Sequence, residues 1–209
     1  MRARSRQMET VLSGYAKDAA TLISAYETLS SRQLYEPVET WLPDRPATVL
    51  DLGAGTGRDA AWLCQQGHQV WAVEPVSAFR QAGQILHSAQ RITWVDDQLP
   101  SLSRTLCLGQ RFDLIVANAV LHHLRPMDRN AAMQVAYDLM APKGRLICSL
   151  RHGPTPSARP GYPVSTPDLV CHATTCGLKL CAHQANLESH QPNNRMSGVS
   201  WDWLVFVRE

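Results

Sequence analysis

The sequence predicts an α/β fold, a doubly wound and mostly parallel sheet with helices on both faces. Three observations predict it. Short apolar runs alternate with helical stretches over residues 48–150, and such alternation builds parallel sheets through right-handed crossovers. The first run passes through Gly53-Ala54-Gly55-Thr56-Gly57 into Ala60-Ala61-Trp62-Leu63, which reads as strand, tight turn and helix start. The last third drops the alternation and ends in two strand-like runs, 178–187 and 201–208.

The 209 residues, 44% of them hydrophobic, suit one domain with a substantial core. Its parts are expected to be a helical cap over 1–45, the alternating core over 46–150 and a distinct last part over 151–209. Lys+Arg 20 against Asp+Glu 18 leaves a formal charge of +2. That balance argues against a dedicated nucleic-acid binder, which needs a concentrated basic surface. Arg2, Arg4 and Arg6 form a short basic cluster, read as a solvated end. No apolar run reaches the roughly 18–20 residues of a membrane span, and no apolar segment follows the basic start as in a signal peptide. A cytoplasmic protein without a membrane partner is expected, its six cysteines reduced. Cys171, His172, Cys176, Cys181 and His183 cluster without a C-x-x-C pair, so no metal site is expected.

In chain order, Tyr15, Ala19, Leu22, Ile23, Tyr26 and Leu29 recur at three- and four-residue spacing. This predicts a helix over 8–31 with one apolar face. A second helix is expected over 34–42, ending before Pro43. Both cover core; Tyr15 is the candidate to close over a ligand, and Tyr26, on a more buried face, the lesser one. Strand 48–52 leads to a helix through Gln66, ended by Gly67. Strand 69–74 and a helix over 77–88 follow, with Ser77 as the expected N-cap. Strand 91–95 precedes an ill-defined stretch over 101–110. Residues 112–117 are strongly apolar, as a central parallel strand should be. A helix over 127–140 and a turn at Pro142-Lys143-Gly144 lead to strand 145–150.

Five prolines between Gly153 and Pro167 make a loop after a strand end, where function tends to sit. A helix over 165–175 ends at Gly177. A polar loop over 188–200 holds His190, Asn193, Asn194 and Arg195 and separates the closing strands. Trp201 and Trp203 are expected to pack first and to wall a ligand site second.

Open parallel sheets bind ligands beyond the carboxyl ends of their strands. Glycines at the first such end let a ligand approach, and the helix N-terminus behind them favours polar groups. Their spacing is G-x-G-x-G, whereas dinucleotide turns use G-x-G-x-x-G. Asp51 stands just before the turn; a pyrophosphate would be repelled by it and an ammonium attracted. Glu74, ending the second strand, can accept both hydroxyls of a ribose. Asp96, ending the third, can accept from an exocyclic amine, and the Asp97 backbone N–H can face a ring nitrogen. These describe a nucleoside with a cationic amino-acid tail.

The chain resembles the class I S-adenosylmethionine-dependent methyltransferases. Val49-Leu50-Asp51-Leu52-Gly53-Ala54-Gly55-Thr56-Gly57 is similar to their first motif and Val73-Glu74-Pro75 to their second. Val95-Asp96-Asp97-Gln98-Leu99-Pro100 is similar to the third, and Phe112-Asp113-Leu114-Ile115-Val116-Ala117-Asn118 to the fourth. Leu121-His122-His123-Leu124 and Pro142-Lys143-Gly144-Arg145-Leu146 also match. The resemblance implies a Rossmann-like seven-stranded sheet with an antiparallel last strand. It makes 46–150 the cofactor-binding core and 151–209 the acceptor loop with closing strands. It implies S-adenosylmethionine as cofactor and S-adenosylhomocysteine as product. Asp51, Gly53, Ala54, Gly55 and Gly57 would hold the methionine part, Glu74 and Pro75 the ribose, Asp96 and Asp97 the adenine. Asn118 and Ala119 would present backbone at the sulfonium end.

Methyl transfer is an in-line displacement that needs alignment and exclusion of water. A hydroxyl acceptor also profits from a base, and His122 and His123 are the catalytic candidates, with at most one expected to reach the pocket. Tyr15, Arg151, His152 and Arg195 are the candidate acceptor-binding residues. A small-molecule acceptor and a monomer or homodimer are expected. Methylation of RNA or protein, or cofactor binding without catalysis, are the alternatives. Asn118-Ala119-Val120-Leu121 lacks the N/D-P-P-aromatic tetrapeptide, which counts against methylation of adenine or glutamine amide nitrogen.

Overall fold

The computed structural model describes residues 6–209; Arg2 and Arg4 lie outside them. Its sheet has seven strands. β1 (Thr48–Leu52), β2 (Gln69–Val73), β3 (Ile92–Val95) and β4 (Phe112–Ala117) are followed by β5 (Met140–His152), β6 (Leu178–Glu188) and β7 (Ser200–Arg208). Their order is β3-β2-β1-β4-β5-β7-β6. All pairings are parallel except those of β7, which runs antiparallel to both β5 and β6.

The strands of the middle are mostly apolar because both faces are covered. Val49, Leu114, Val116 and Ile147 pack on one side with Tyr35, Ala60 and Leu63. These come from α3 (Ser31–Tyr35) and α4 (Arg58–Gln65). Leu50, Leu52, Ile115 and Leu146 pack on the other with Met133, Ala136 and Leu169. Those belong to α7 (Pro126–Leu139) and α8 (Thr166–Thr175). A third cluster joins Ala19 to Val76 and Phe79, with Leu12, Tyr15 and Tyr26 against it. It seats α1 (Arg6–Lys17) and α2 (Ala19–Glu27) on α5 (Ser77–Leu86), at the end of the sheet where β1 to β4 finish.

Several boundaries differ from the sequence reading, each for a local reason. The helix expected over 8–31 breaks at Asp18, whose carboxylate pairs with Arg159. The helix expected over 34–42 is α3 followed by a 3-10 turn, Glu36–Trp41, since Pro37 has no N–H for an α-helical bond. Ser77 is not a cap but the first helical residue; Val76 is the N-cap, and its N–H goes to Glu74 Oε1. Pro142-Lys143-Gly144 is an irregularity inside β5 rather than a turn before it, with Lys143 at φ +62°. Short helices α6 (Ser103–Leu106) and α9 (Pro192–Met196) occupy the ill-defined stretch over 101–110 and the expected loop over 188–200. No helix among the described residues is long and apolar enough to cross a membrane.

α5 crosses behind the glycine turn at Gly83. A Cβ there would lie 2.4 Å from the Thr56 carbonyl oxygen and 2.5 Å from the Trp94 ring. Alanine favours a helix over glycine by about 1 kcal/mol, but a backbone carbonyl yields little. Gly83→Ala is expected to lower stability by about 1–3 kcal/mol net of that gain. The check is the urea midpoint at constant m-value; an unmoved midpoint contradicts the close packing.

Candidate functional site

The carboxyl ends of β1 to β4 open into a cavity of about 290 Å³. α1 and α2 roof it, and the segments after β5 and before β7 wall it. Gly53, Gly55 and Gly57 all have positive φ, at 68°, 58° and 79°, which glycine adopts without a Cβ penalty. Their surroundings differ. A Cβ on Gly53 would lie 2.5 Å from Val120 and one on Gly57 2.6 Å from Trp94, whereas on Gly55 it would meet only the Tyr26 ring at 3.8 Å. Gly53, Ala54, Gly55 and Thr56 line the cavity. Gly57 stands behind it as the N-cap of α4.

Three hydrogen-bond acceptors face this half. Asp51 is buried and its Oδ2 has no partner. Burial, followed by the charge of Asp59, holds its carboxyl well above the usual range. Glu74 Oε2 accepts from the Gly55 N–H and Oε1 from the Val76 N–H, both at 2.8 Å. Burial outweighs these bonds and pushes its carboxyl up to about 7. Pro75 lines the cavity beside it. Gln98 is the third, with Oε1 buried and unpartnered.

The structure does not bring Asp96 to the cavity. The chain leaves β3 at Val95, and the Asp96 carboxylate is exposed between Arg80 at 3.1 Å and Arg104 at 3.3 Å. Asp97 does line the cavity. Its carboxylate is taken by Thr105 and by the Gln98 N–H, and its own N–H donates to the Val95 carbonyl. That N–H is therefore not free to face a ring nitrogen. Sequence reasoning misses Gln98 because an amide between two acids and Leu99-Pro100 carries no charge pattern.

The exit of β4 is held by a buried network. Ala119, at φ +58°, donates its N–H to Ser149 Oγ at 2.8 Å. The Ser149 hydroxyl donates to Asn118 Oδ1 at 2.7 Å, and Asn118 Nδ2 donates to Asp59 Oδ2 at 3.1 Å. Asp59 also accepts from Ser31 at 2.6 Å and from Arg58 Nε at 2.9 Å. Burial raises its carboxyl, but Arg58 and the Ser31 and Asn118 bonds outweigh that and leave it below the usual range. Nothing marked Asp59 in the sequence beyond an acid in a helix first turn, where the dipole favours it.

Beyond β4 lies the other half. His122 and His123 occupy a 3-10 turn, Leu121–His123. Both line the cavity, with ring centroids 4.0 Å apart, contrary to the expectation that only one would. A tight turn folds the two side chains to one side, which a strand would not. His123 Nδ1 lies 3.0 Å from the Pro160 carbonyl. A carbonyl only accepts, so Nδ1 carries the hydrogen, and Nε2 accepts from the Tyr15 hydroxyl at 2.8 Å. Burial lowers the pKa of both rings, well below the usual range for His122, whose Nδ1 has no partner.

Arg151 and Trp201 are opposed across β5 and β7, and both line the cavity. The guanidinium carbon sits 5.6 Å from the Trp201 ring centre. His152, the next residue, does not line it; alternation along the strand turns it away, to within 3.3 Å of Asp202. Arg195 does not reach it either, being exposed on α9 and 4.0 Å from Glu188. Asn194 lines the cavity instead and binds Arg151 through Oδ1 at 3.1 Å. Tyr26, Trp201 and Trp203 all line it as well, so the residues expected mainly to pack also form its wall.

A family model described as methyltransferase domain matches residues 19–192. The ribosomal RNA small subunit methyltransferase C of Chromohalobacter salexigens is 35% identical over 126 residues, covering 56% of this chain. The match spans only 35% of that relative's own length. Among solved structures, the 1,6-didemethyltoxoflavin-N1-methyltransferase of Burkholderia thailandensis has bound 1,6-didemethyltoxoflavin and S-adenosylhomocysteine. It aligns with a TM-score of 0.76 at 23% identity, over 100% of this chain and 91% of that one. The N-methyltransferase NodS of Bradyrhizobium japonicum, in complex with S-adenosylhomocysteine, aligns at 0.65 and 14% identity, over 85% and 84%. At these identities the likeness is one of fold.

Asp59→Asn keeps the shape of the network and removes its charge, leaving buried Arg58 without a carboxylate. A loss of roughly 3–5 kcal/mol in unfolding free energy is expected, read from urea denaturation followed by far-UV circular dichroism. A loss under about 1 kcal/mol, the scale of an exposed pair, would mean that the network does not hold the turn.

Proposed function

Because the chain belongs to the methyltransferase domain family, we propose that S-adenosylmethionine is its methyl donor and a small molecule its acceptor. The observation that carries the donor is the buried, unpartnered Oδ2 of Asp51 beside the glycine turn. A buried acceptor without a donor costs free energy, and an ammonium group relieves it. Glu74, with one backbone bond on each oxygen, keeps a lone pair on each for a ribose diol. Gln98 Oε1 takes the exocyclic amine that the sequence assigned to Asp96. The donor set thus fits a nucleoside with an amino-acid tail. When bound, that group would supply an activated methyl: the acceptor lone pair would bond to the methyl carbon as the C–S bond breaks and the thioether sulfur leaves with its electron pair.

The chain's own part is alignment and exclusion of water. Asn118 and Ala119, fixed through Ser149 and Asp59, bound the space between the two halves of the cavity. His123 is engaged on both ring nitrogens and positions Tyr15 in the roof. His122 is neutral and is the histidine left to accept a hydrogen bond from the acceptor. The roof of α1 and α2 favours a small acceptor, since a polymer needs an open approach. The Chromohalobacter salexigens relative favours the RNA reading instead, against which stand the near-zero net charge and that roof.

The Glu74 pKa fixes a pH dependence. Its folded value, about 7, lies above the ordinary one, so its contribution to stability is present below the unfolded pKa and is lost as pH rises through about 7. Ribose hydroxyls donate to the ionised form, so binding draws a proton off. Affinity for S-adenosylhomocysteine is expected to rise from about pH 6 to about pH 8, by less than tenfold per unit. Glu74→Gln should flatten this rise and weaken binding at the upper end by about 1–3 kcal/mol. Isothermal calorimetry decides: no binding at any pH removes the donor, and a pH-independent affinity removes Glu74 from the ribose.

A further inference from the structure

The charges that line the cavity are segregated. Its four acids, Asp51, Asp59, Glu74 and Asp97, all lie on the glycine-turn side. Three arginines line it: Arg58, Arg151 and Arg159. Arg58 is paired with Asp59 and Arg159 with Asp18. Arg151 has no carboxylate within 4.0 Å among the described residues.

Arg151 is half-buried, and its partners are neutral. Nε and Nη2 donate to the Pro154 carbonyl, and Nη2 also to Asn194 Oδ1. Nη1 has no hydrogen-bond partner among the described residues. Carbonyl oxygens orient a guanidinium but do not cancel its charge, and a cation withdrawn from water without a counter-charge is unfavourable. The bonded edge is turned to the protein, so the open one is left for an anion, which a planar guanidinium receives well. A second observation lies beside it. His122 is 5% exposed with Nδ1 unpartnered, and its ring meets the Trp201 ring edge-on at 6.2 Å. Trp201, His122 and Tyr15 give this end flat aromatic walls.

We propose that the acceptor is a small organic acid, a flat ring bearing a carboxylate or comparably acidic group, whose anion is held by Arg151 beside Trp201 and His122. This rests on the donor reading above, which fills the acidic half and leaves the basic half for the acceptor. The two halves then match partners of opposite charge, a cation at the glycine turn and an anion at Arg151.

The test is calorimetry of the S-adenosylhomocysteine-loaded protein with benzoate, 4-hydroxybenzoate and indole-3-carboxylate, each against its neutral amide. The acids are expected to bind at least about tenfold tighter than the amides. Arg151→Gln should bring that ratio near one, with melting temperature and S-adenosylhomocysteine affinity retained, and Arg151→Lys should keep most of it. Amides that bind as well as acids, an acid preference that survives Arg151→Gln, or no acid bound at millimolar concentration would each overturn the proposal. So would a short oligoribonucleotide that displaces the acid through Arg151, which would assign the cation to an RNA phosphate. The same titration without S-adenosylhomocysteine separates the two readings: an acid preference kept in a protein that binds no S-adenosylhomocysteine sinks the donor reading alone.

Discussion

A single buried carboxylate, Asp59, ties together the parts from which the cavity is made. It sits in the first turn of α4, directly behind the glycines. Arg58, Ser31 and Asn118 converge on it, and through Asn118 and Ser149 it reaches the backbone of Ala119. Four elements meet there: the start of α3, the turn after β1, the exit of β4 and the middle of β5. Asp51 lies close enough that the Asp59 charge, after burial, helps to hold its carboxyl above the usual range. One acid is stabilised as an ion by several partners, and the other keeps one backbone bond, from Ala60, and one bare oxygen. The protein holds the ionised group for structure and leaves the bare oxygen of the other to the cavity.

The two halves of the cavity are built by different means. On the donor side the polar groups come from the ends of strands, where neighbouring ladder bonds fix them. On the acceptor side they come from a 3-10 turn, a proline-rich loop and the end of β5, held by side-chain contacts. His123 between Pro160 and Tyr15, and Arg151 between Pro154 and Asn194, are the main ones. A strand end is set by the sheet, while a loop of this kind can change its residues with little effect on the core.

This difference decides how much was legible in the sequence. The β-α alternation, the glycine turn and the placement of Asp51 and Glu74 could be read because a buried parallel strand announces itself by composition and its last residue has a fixed place. Asp96 and Gln98 could not be told apart, because the chain leaves β3 through a turn whose phase no pattern records. Arg151 and His152 are adjacent on a strand, so one of the pair had to point away. Which one depends on the register of β5 with β7, across an irregularity at Lys143. Arg195 and Asn194 pose the same problem on a five-residue helix that composition presents as loop. The Asp59 network was invisible because its members are spread from Ser31 to Ser149 and meet only in three dimensions.

The place of β7 has a consequence for how the chain is made. Synthesis delivers β5 first, with one edge bare, then α8 and β6, which does not pair with β5 at all. Only β7 bridges them, inserted antiparallel along both, from the Arg145–Val207 pair to the His152–Ser200 pair on one side. Until its residues have left the ribosome, two unpaired edges of an apolar sheet face the solvent, a state prone to pairing with other chains. Trp201, which rests against Arg151, arrives on that same strand. The Trp201 wall of the acceptor half therefore takes shape only when β7 joins β5 to β6.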